Sequence, residues 1–237
     1  MADLRCLAVI PARGGSKGIP RKNLAPLAGR PLLAYTCEAA RASRRLTRVI
    51  VSTDDAEIAQ AARTLGVDVP FLRPAELAQD ATPMIDVARH ALDACETEAG
   101  ETFDVVVILQ PTSPLRPPSV IDACVERLQA SGADAAVTVV RVPHAFEPGS
   151  LMRQDERGRL VPFQEGPLVL RRQDKPVLFA RNGPAVLAVR RATIDGGALY
   201  GPHVEPLEMS AIESLDVDGP EDLALAEILL GRDRAGR

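Results

Sequence analysis

Residues 6–43 read CLAVIPARGGSKGIPRKNLAPLAGRPLLAYTCEAARAS. The first five, CLAVI, are a short continuous apolar run ending at Pro11, the pattern of a strand covered on both faces. The last thirteen, PLLAYTCEAARAS at 31–43, space their apolar residues as a helix does, with Pro31 suited to a first turn. Between them runs a loop with Gly14, Gly15 and Gly18 and the cations Arg13, Lys17, Arg21 and Lys22. Strand, loop and helix in that order open an α/β fold.

The rhythm continues outward. RVIVS at 48–52 reads as a strand, and Asp54 and Asp55 open a helix that stops at Gly66. VDVPF at 67–71 reads as a third strand, and Thr82 and Pro83 start a helix over 83–98. FDVVVILQ at 103–110 is the strongest strand signal, followed by a helix at 117–132 and a strand at 133–142. This alternation implies a doubly wound, mostly parallel, Rossmann-like sheet with right-handed crossovers. After Pro143 the pattern breaks into turn signals and short apolar pieces. Residues 143–181 therefore read as an arm inserted into one domain spanning 1–237. PAVLAV at 184–189 resumes a strand, and 210–231, containing SLDVD, reads as a last strand and a closing helix.

Composition narrows the function. A hydrophobic fraction of 46% suits a globular core. No run of about 18 apolar residues exists, so no membrane span is expected, and the N-terminus lacks a signal peptide's pattern. Four cysteines without a CxxC pair fit a reducing cytoplasm. A net charge of −4, no Trp and 3% aromatics argue against nucleic acid as partner. Against that acidic background, Leu4 to Cys37 contains no Asp or Glu, yet holds Arg5, Arg13, Lys17, Arg21, Lys22 and Arg30.

In open α/β sheets, ligands bind beyond the carboxyl ends of the strands. Strand 6–10 leads into the basic loop, strand 48–52 into Thr53, Asp54 and Asp55, and strand 103–109 into QPTSPLR at 110–116. The basic loop is neither GxGxxG nor GxxxxGK[ST]. Its glycines still let backbone N–H groups crowd around an anion. Arg13 suits bidentate pairing with phosphate oxygens, and Lys22 suits a point charge. In LDVD, Leu215 and Val217 alternate with Asp216 and Asp218. A strand there would put both carboxylates on one face, a spacing fit for a hard cation. The alternative is that Asp218-Gly-Pro-Glu caps the last helix.

These motifs, ARxxSKGxxxKN, STD at 52–54, RPAELAQD at 73–80, LQPTSPLR at 109–116, RNG at 181–183 and SLDVD at 214–218, together resemble the acylneuraminate cytidylyltransferases. The resemblance runs in order through nearly the whole chain. It implies a nucleotidyltransferase fold and a reaction of CTP with an acidic acceptor, giving the CMP-acceptor and diphosphate with Mg2+. It also implies a homodimer in which the arm of one subunit reaches the other's site. Carried over, Arg13 and Lys22 hold the phosphates and stabilise the leaving diphosphate, with Asp218 as the third catalytic residue. Ala12, Gly14, Gly15, Ser16 and Lys17 complete the nucleotide loop, and Asn23 and Arg73 contact the cytidine. Asp80 and Thr82 fall on a nucleotide-lining turn. Gln110, Ser113, Arg116, Arg172 and Asn182 face the acceptor, and Asp216 and Asp218 seat the metal.

The likeness frays in the acceptor half. Many members carry a lysine in an HPLK-like segment where this chain has His144-Ala-Phe-Glu147. NGPAV stands in place of NGAIY, and Met84 replaces a small polar residue. A nonulosonic acid of sialic, legionaminic or pseudaminic type is the first expectation for the acceptor, and a small phosphonate acid such as phosphonoformate the second. A sugar-1-phosphate nucleotidyltransferase and a non-catalytic nucleotide-binding protein remain open readings.

Overall fold

Residues Cys6–Pro11 form a buried strand, β1, whose alternate side chains enter two different cores. Cys6, Ala8 and Ile10 point to one, Leu7 and Val9 to the other. Both faces being covered is why the run is continuously apolar. The computed structural model describes residues 4–164, 171, 175–181 and 183–235. After β1 come a short hairpin of β2 (Pro26–Leu27) and β3 (Arg30–Pro31), α1 (Leu32–Ala42), β4 (Arg48–Ser52), α2 (Ala56–Thr64) and α3 (Met84–Ala99). Then follow β5 (Val105–Ile108), α4 (Pro118–Ser131) and β6 (Ala135–Arg141). The arm holds β7 (Met152–Gln154), β8 (Leu160–Pro162) and β9 (Phe179–Arg181). The chain closes with β10 (Leu187–Arg190), α5 (Arg191–Asp195), β11 (Val204–Met209) and α6 (Pro220–Ala235).

The main sheet runs β11-β6-β10-β5-β1-β4, with β9 also paired to β6. β4, β1, β5, β6 and β11 are parallel; β10 runs against both its neighbours, and β9 against β6. Helices α1, α2 and α4 cover one face through Leu33, Cys37, Ile58, Ala62, Ile121 and Cys124. Helices α3 and α5 cover the other through Ala88, Leu92, Cys95 and Ile194. This is the doubly wound, mostly parallel sheet expected. Each large aliphatic side chain fully buried here is worth about 1.5–3 kcal/mol. All four cysteines are free and buried. Among the described residues, no helix is long and apolar enough to cross a membrane.

Two expected strands are corrected. VDVPF at 67–71 makes only isolated bridges, Ile50 to Asp68 and Thr53 to Leu72. Pro70 lacks the N–H that would continue a ladder. SLDVD is not a strand either; the last strand is β11 at Val204–Met209, a half-exposed edge that carries Pro206 and two acids. The chain leaves β1 for β4 on one side and returns at β5 on the other. The loops after β1 and β5 therefore diverge and leave a crevice at the carboxyl end of the sheet.

Candidate active site

The loop after β1 has no acid of its own, yet carboxylates from elsewhere meet each of its cations. Arg13 Nη1 lies 2.5 Å and Lys17 Nζ 2.6 Å from the two oxygens of Asp80. Hydrogen bonds from Lys17 and Arg13 hold the Asp80 carboxyl below the usual carboxylate range. Arg21, in the left-handed region at φ 50°, donates from Nη2 to both oxygens of Asp55 at 2.9 Å and pairs with Glu57 at 3.2 Å. Lys22 Nζ donates to the Val217 carbonyl at 2.8 Å and lies 3.1 Å from Asp218 Oδ1. The Gly14 amide donates to Asp54 Oδ1 at 2.9 Å. The sequence pattern marks Asp54 and Asp55 only as the opening of a helix, and Asp55 does cap α2 by accepting from the Glu57 and Ile58 amides.

Other loop residues serve the fold. The Ala12 amide donates to the Ser52 carbonyl and its side chain is fully buried. Asn23, also buried, donates from Nδ2 to the Arg13 carbonyl at 2.9 Å and so fixes the loop's path. Gly15 is exposed and Ser16 half-buried.

Beside the loop lies a cleft of about 200 Å3 lined by Arg13, Arg73, Asp80, Thr82, Met84 and Gln110, among others. Arg73 is buried at its floor, anchored by its amide to the Thr53 carbonyl, with Asp54 at 4.0 Å and Nε without a partner. Burial pulls its pKa below the ordinary arginine value, which Asp54 opposes. Among the described residues its charge has no partner closer than Asp54, and the residue lines the cleft. The Thr82 hydroxyl is engaged within its own turn, accepting from the Gln79 amide and donating to the Glu76 carbonyl. A larger cleft of about 660 Å3 lies behind the 114–118 turn, against α1 and α6, and none of the loop cations line it.

Two expected acceptor contacts turn inward. Ser113 is fully buried, and Arg116 is 3% exposed. Arg116 Nη1 donates to the carbonyls of Gln110 and Ala185 at 3.2 and 2.8 Å. Burial pushes its pKa down to about 10. The proline-stiffened turn folds Arg116 under itself, where it ties Gln110 to the start of β10. Gln110 lines the cleft, and its carbonyl also accepts from Thr36 Oγ1.

Asp216 and Asp218 lie in an unpaired extended stretch held by the Val217 amide, which donates to the Thr112 carbonyl at 2.7 Å. Val217 is fully buried, Asp216 half-buried and Asp218 exposed. The alternation survives without a strand. The amides of Asp218 and Gly219, just ahead of α6, donate to Asp222, so capping falls to Asp222 and the Asp218 carboxylate is left for Lys22. Burial raises the Asp216 pKa above the ordinary aspartate value, with Asp218 adding to the rise, while Thr112 and Lys22 oppose it. Asp216 Oδ1 is buried without a partner. A Cβ on Gly18 would sit 2.3 Å from the Asp218 carbonyl, and one on Gly183, at φ 87°, 2.8 Å from Asp216 Oδ2. Only glycine allows the loop and the chain after the arm to approach this pair so closely. Among the described residues no group of three or more His, Cys, Asp or Glu could hold a metal. Two oxygen donors, one of them orphaned, do suit Mg2+, which takes one or two carboxylates and completes its shell with water and phosphate.

Arg172 and Asn182 lie outside the described residues. Glu147 is 9% exposed; it accepts from the Gly149 amide and lies 3.6 Å from Lys175, which also bonds Ser150. The acid at the HPLK-like position is therefore paired inside the arm and not presented to a ligand. Arg181 stacks its guanidinium 4.7 Å over Tyr200.

A family model described as Cytidylyltransferase matches residues 7–229. The chain is 38% identical to CMP-N,N'-diacetyllegionaminic acid synthase of Legionella pneumophila, over 96% of this chain and 97% of that one. It is 31% identical to N-acylneuraminate cytidylyltransferase of Escherichia coli, over 94% of this chain and 51% of that one. A solved structure of CMP:2-keto-3-deoxy-manno-octonic acid synthetase complexed with CTP shares the fold, with a TM-score of 0.72 at 18% identity over 97% of this chain and 99% of that one. With this sheet, this loop and these matches, the chain belongs to the acylneuraminate cytidylyltransferase family of enzymes.

Proposed function

We propose that the protein transfers CMP from CTP to a nonulosonic acid, releasing diphosphate. The observation that carries the reading is the meeting of the cationic loop with the carboxylate pair at Lys22 and Asp218, 3.1 Å apart, on the same loop whose Arg13 lines the cleft with Arg73. A triphosphate laid along the loop meets Arg13, Lys17 and Lys22, while Arg73 and Gln110 bound the space for the base and the acceptor. The acceptor hydroxyl oxygen bonds to the α-phosphorus as the bond to the β-phosphate oxygen breaks, and the hydroxyl proton passes to solvent. Little covalent work falls to the protein; Arg13 and Lys22 position the phosphates and neutralise charge on the departing diphosphate. Asp216 and Asp218 would hold Mg2+, which when bound aligns and neutralises phosphate oxygens.

A legionaminic-type acid is the leading acceptor, because a relative named for that product is 38% identical across nearly the whole chain. The protein acts as a homodimer through its arm, where Phe146, Met152, Leu160, Phe163, Val177 and Phe179 are 47–67% exposed. Apolar side chains this large and this concentrated mark an interface. The test is diphosphate release with Mg2+ and each of CTP, UTP, ATP and GTP against legionaminic, sialic and pseudaminic acids and phosphonoformate. CTP-dependent release with a nonulosonic acid, abolished by EDTA, is the expected result. Release only with phosphonoformate, only with UTP and a sugar-1-phosphate, or with no acceptor at all, overturns it.

A further inference from the structure

The carboxylates that meet the loop differ in what else they do. Asp55 also caps α2 and grips Arg21 with both oxygens, so it belongs to the scaffold. Asp218 stands beside Asp216 in the proposed metal seat. Among the described residues the Asp80 carboxylate engages only the loop: it is bonded to Arg13 through one oxygen and to Lys17 through the other. Its side chain is 48% exposed, on a turn closed largely on itself by the Thr82 and Gln79 hydrogen bonds. It also lines the cleft that Arg13 lines.

An N–H aimed at Asp80 is not available to a phosphate, and a carboxylate left in place would repel the incoming anion. A nucleoside triphosphate carries roughly four charges where Asp80 carries one, so exchange favours the nucleotide. We propose that Asp80 is a resident counter-anion that the triphosphate displaces. It keeps Arg13 and Lys17 poised at the cleft in the free protein, yields them when CTP enters, and reclaims them as diphosphate leaves. Asp80 is thus a positioning residue that sets polyphosphate affinity and product release, in place of the nucleotide contact expected from sequence. The inference rests on the reading of the loop as the phosphate site.

Titration calorimetry with inorganic diphosphate, at fixed Mg2+ and ionic strength, tests it without turnover. Asp80→Asn keeps the shape of the side chain and removes its charge, and Asp80→Ala removes both oxygens. Both should bind diphosphate about threefold more tightly than the parent, the scale of an exposed ion pair. In assays, Asp80→Asn should lower KM for CTP and lower kcat as diphosphate release slows. Equal or weaker diphosphate binding in both variants overturns the proposal. Tighter binding in an enzyme that turns over no acid would sink the proposed function and leave this inference standing.

Discussion

The nucleotide half and the arm are built on opposite plans. Around the loop after β1, charges are many, and each is tied to a strand end, a helix cap or a turn that rests on the sheet. In the arm, β7 and β8 form a hairpin outside the main sheet, every residue of β7 and β9 is exposed, and large apolar side chains face outward. One half carries its complement within the chain, apart from an anion. The other lacks a surface to lie on. Under the proposed function, chemistry belongs to the first half, and assembly and acceptor choice to the second.

The contrast is broken most sharply from the loop side. Arg13→Ala should reduce kcat/KM about a hundredfold or more, the cost of one well-aimed donor to developing charge, while leaving the proposed dimer intact. Sedimentation and steady-state kinetics on the same sample check both statements. If dimerisation failed as well, the two halves would not be separable. Gly18→Ala should come next, with a loss on the order of tenfold, because the new methyl must push the loop away from the Asp218 carbonyl. A melting temperature close to the parent's would tie that loss to geometry and not to unfolding.

Arm variants should act weakly and elsewhere. Lys175→Met strips the cation from the largely buried Glu147, which should cost about 1–3 kcal/mol of arm stability. Hydrogen exchange should show it over 144–163, with KM for CTP unchanged; a raised KM for CTP would contradict the division. Smallest in folding terms is Phe146→Ser. An exposed apolar side chain contributes within about 0.5 kcal/mol to its own chain's stability, so the fold should hold while the proposed dimer dissociates at lower dilution.

Legibility in sequence follows the same divide. Strands β1, β4 and β5 are plain from unbroken apolar runs at 6–10, 49–51 and 105–109. The edge strand Val204–Met209 escapes notice because its half-exposed face, Pro206 and Glu205 and Glu208 blur any two-residue period. The carboxylates at 216 and 218 stand out by alternation, although a buried Val217 and one backbone hydrogen bond, not a strand, enforce it. The other acids that answer the loop cannot be found this way. Asp54, Asp55 and Asp80 are 30 or more residues from the loop, and only the β1–β4 pairing and the turn before α3 bring them close. Nor does composition reveal that Ser113 and Arg116 fold inward, since both are ordinary anion contacts when exposed.

β10 lies between β5 and β6 and runs against both. During synthesis the ribosome delivers β5 and β6 first, and the strand that joins them only after the whole arm. Until that strand arrives, the valine-rich edge of β5 is an open template for another chain. Fragments that stop short of residue 190 should therefore clump, however well their helices form.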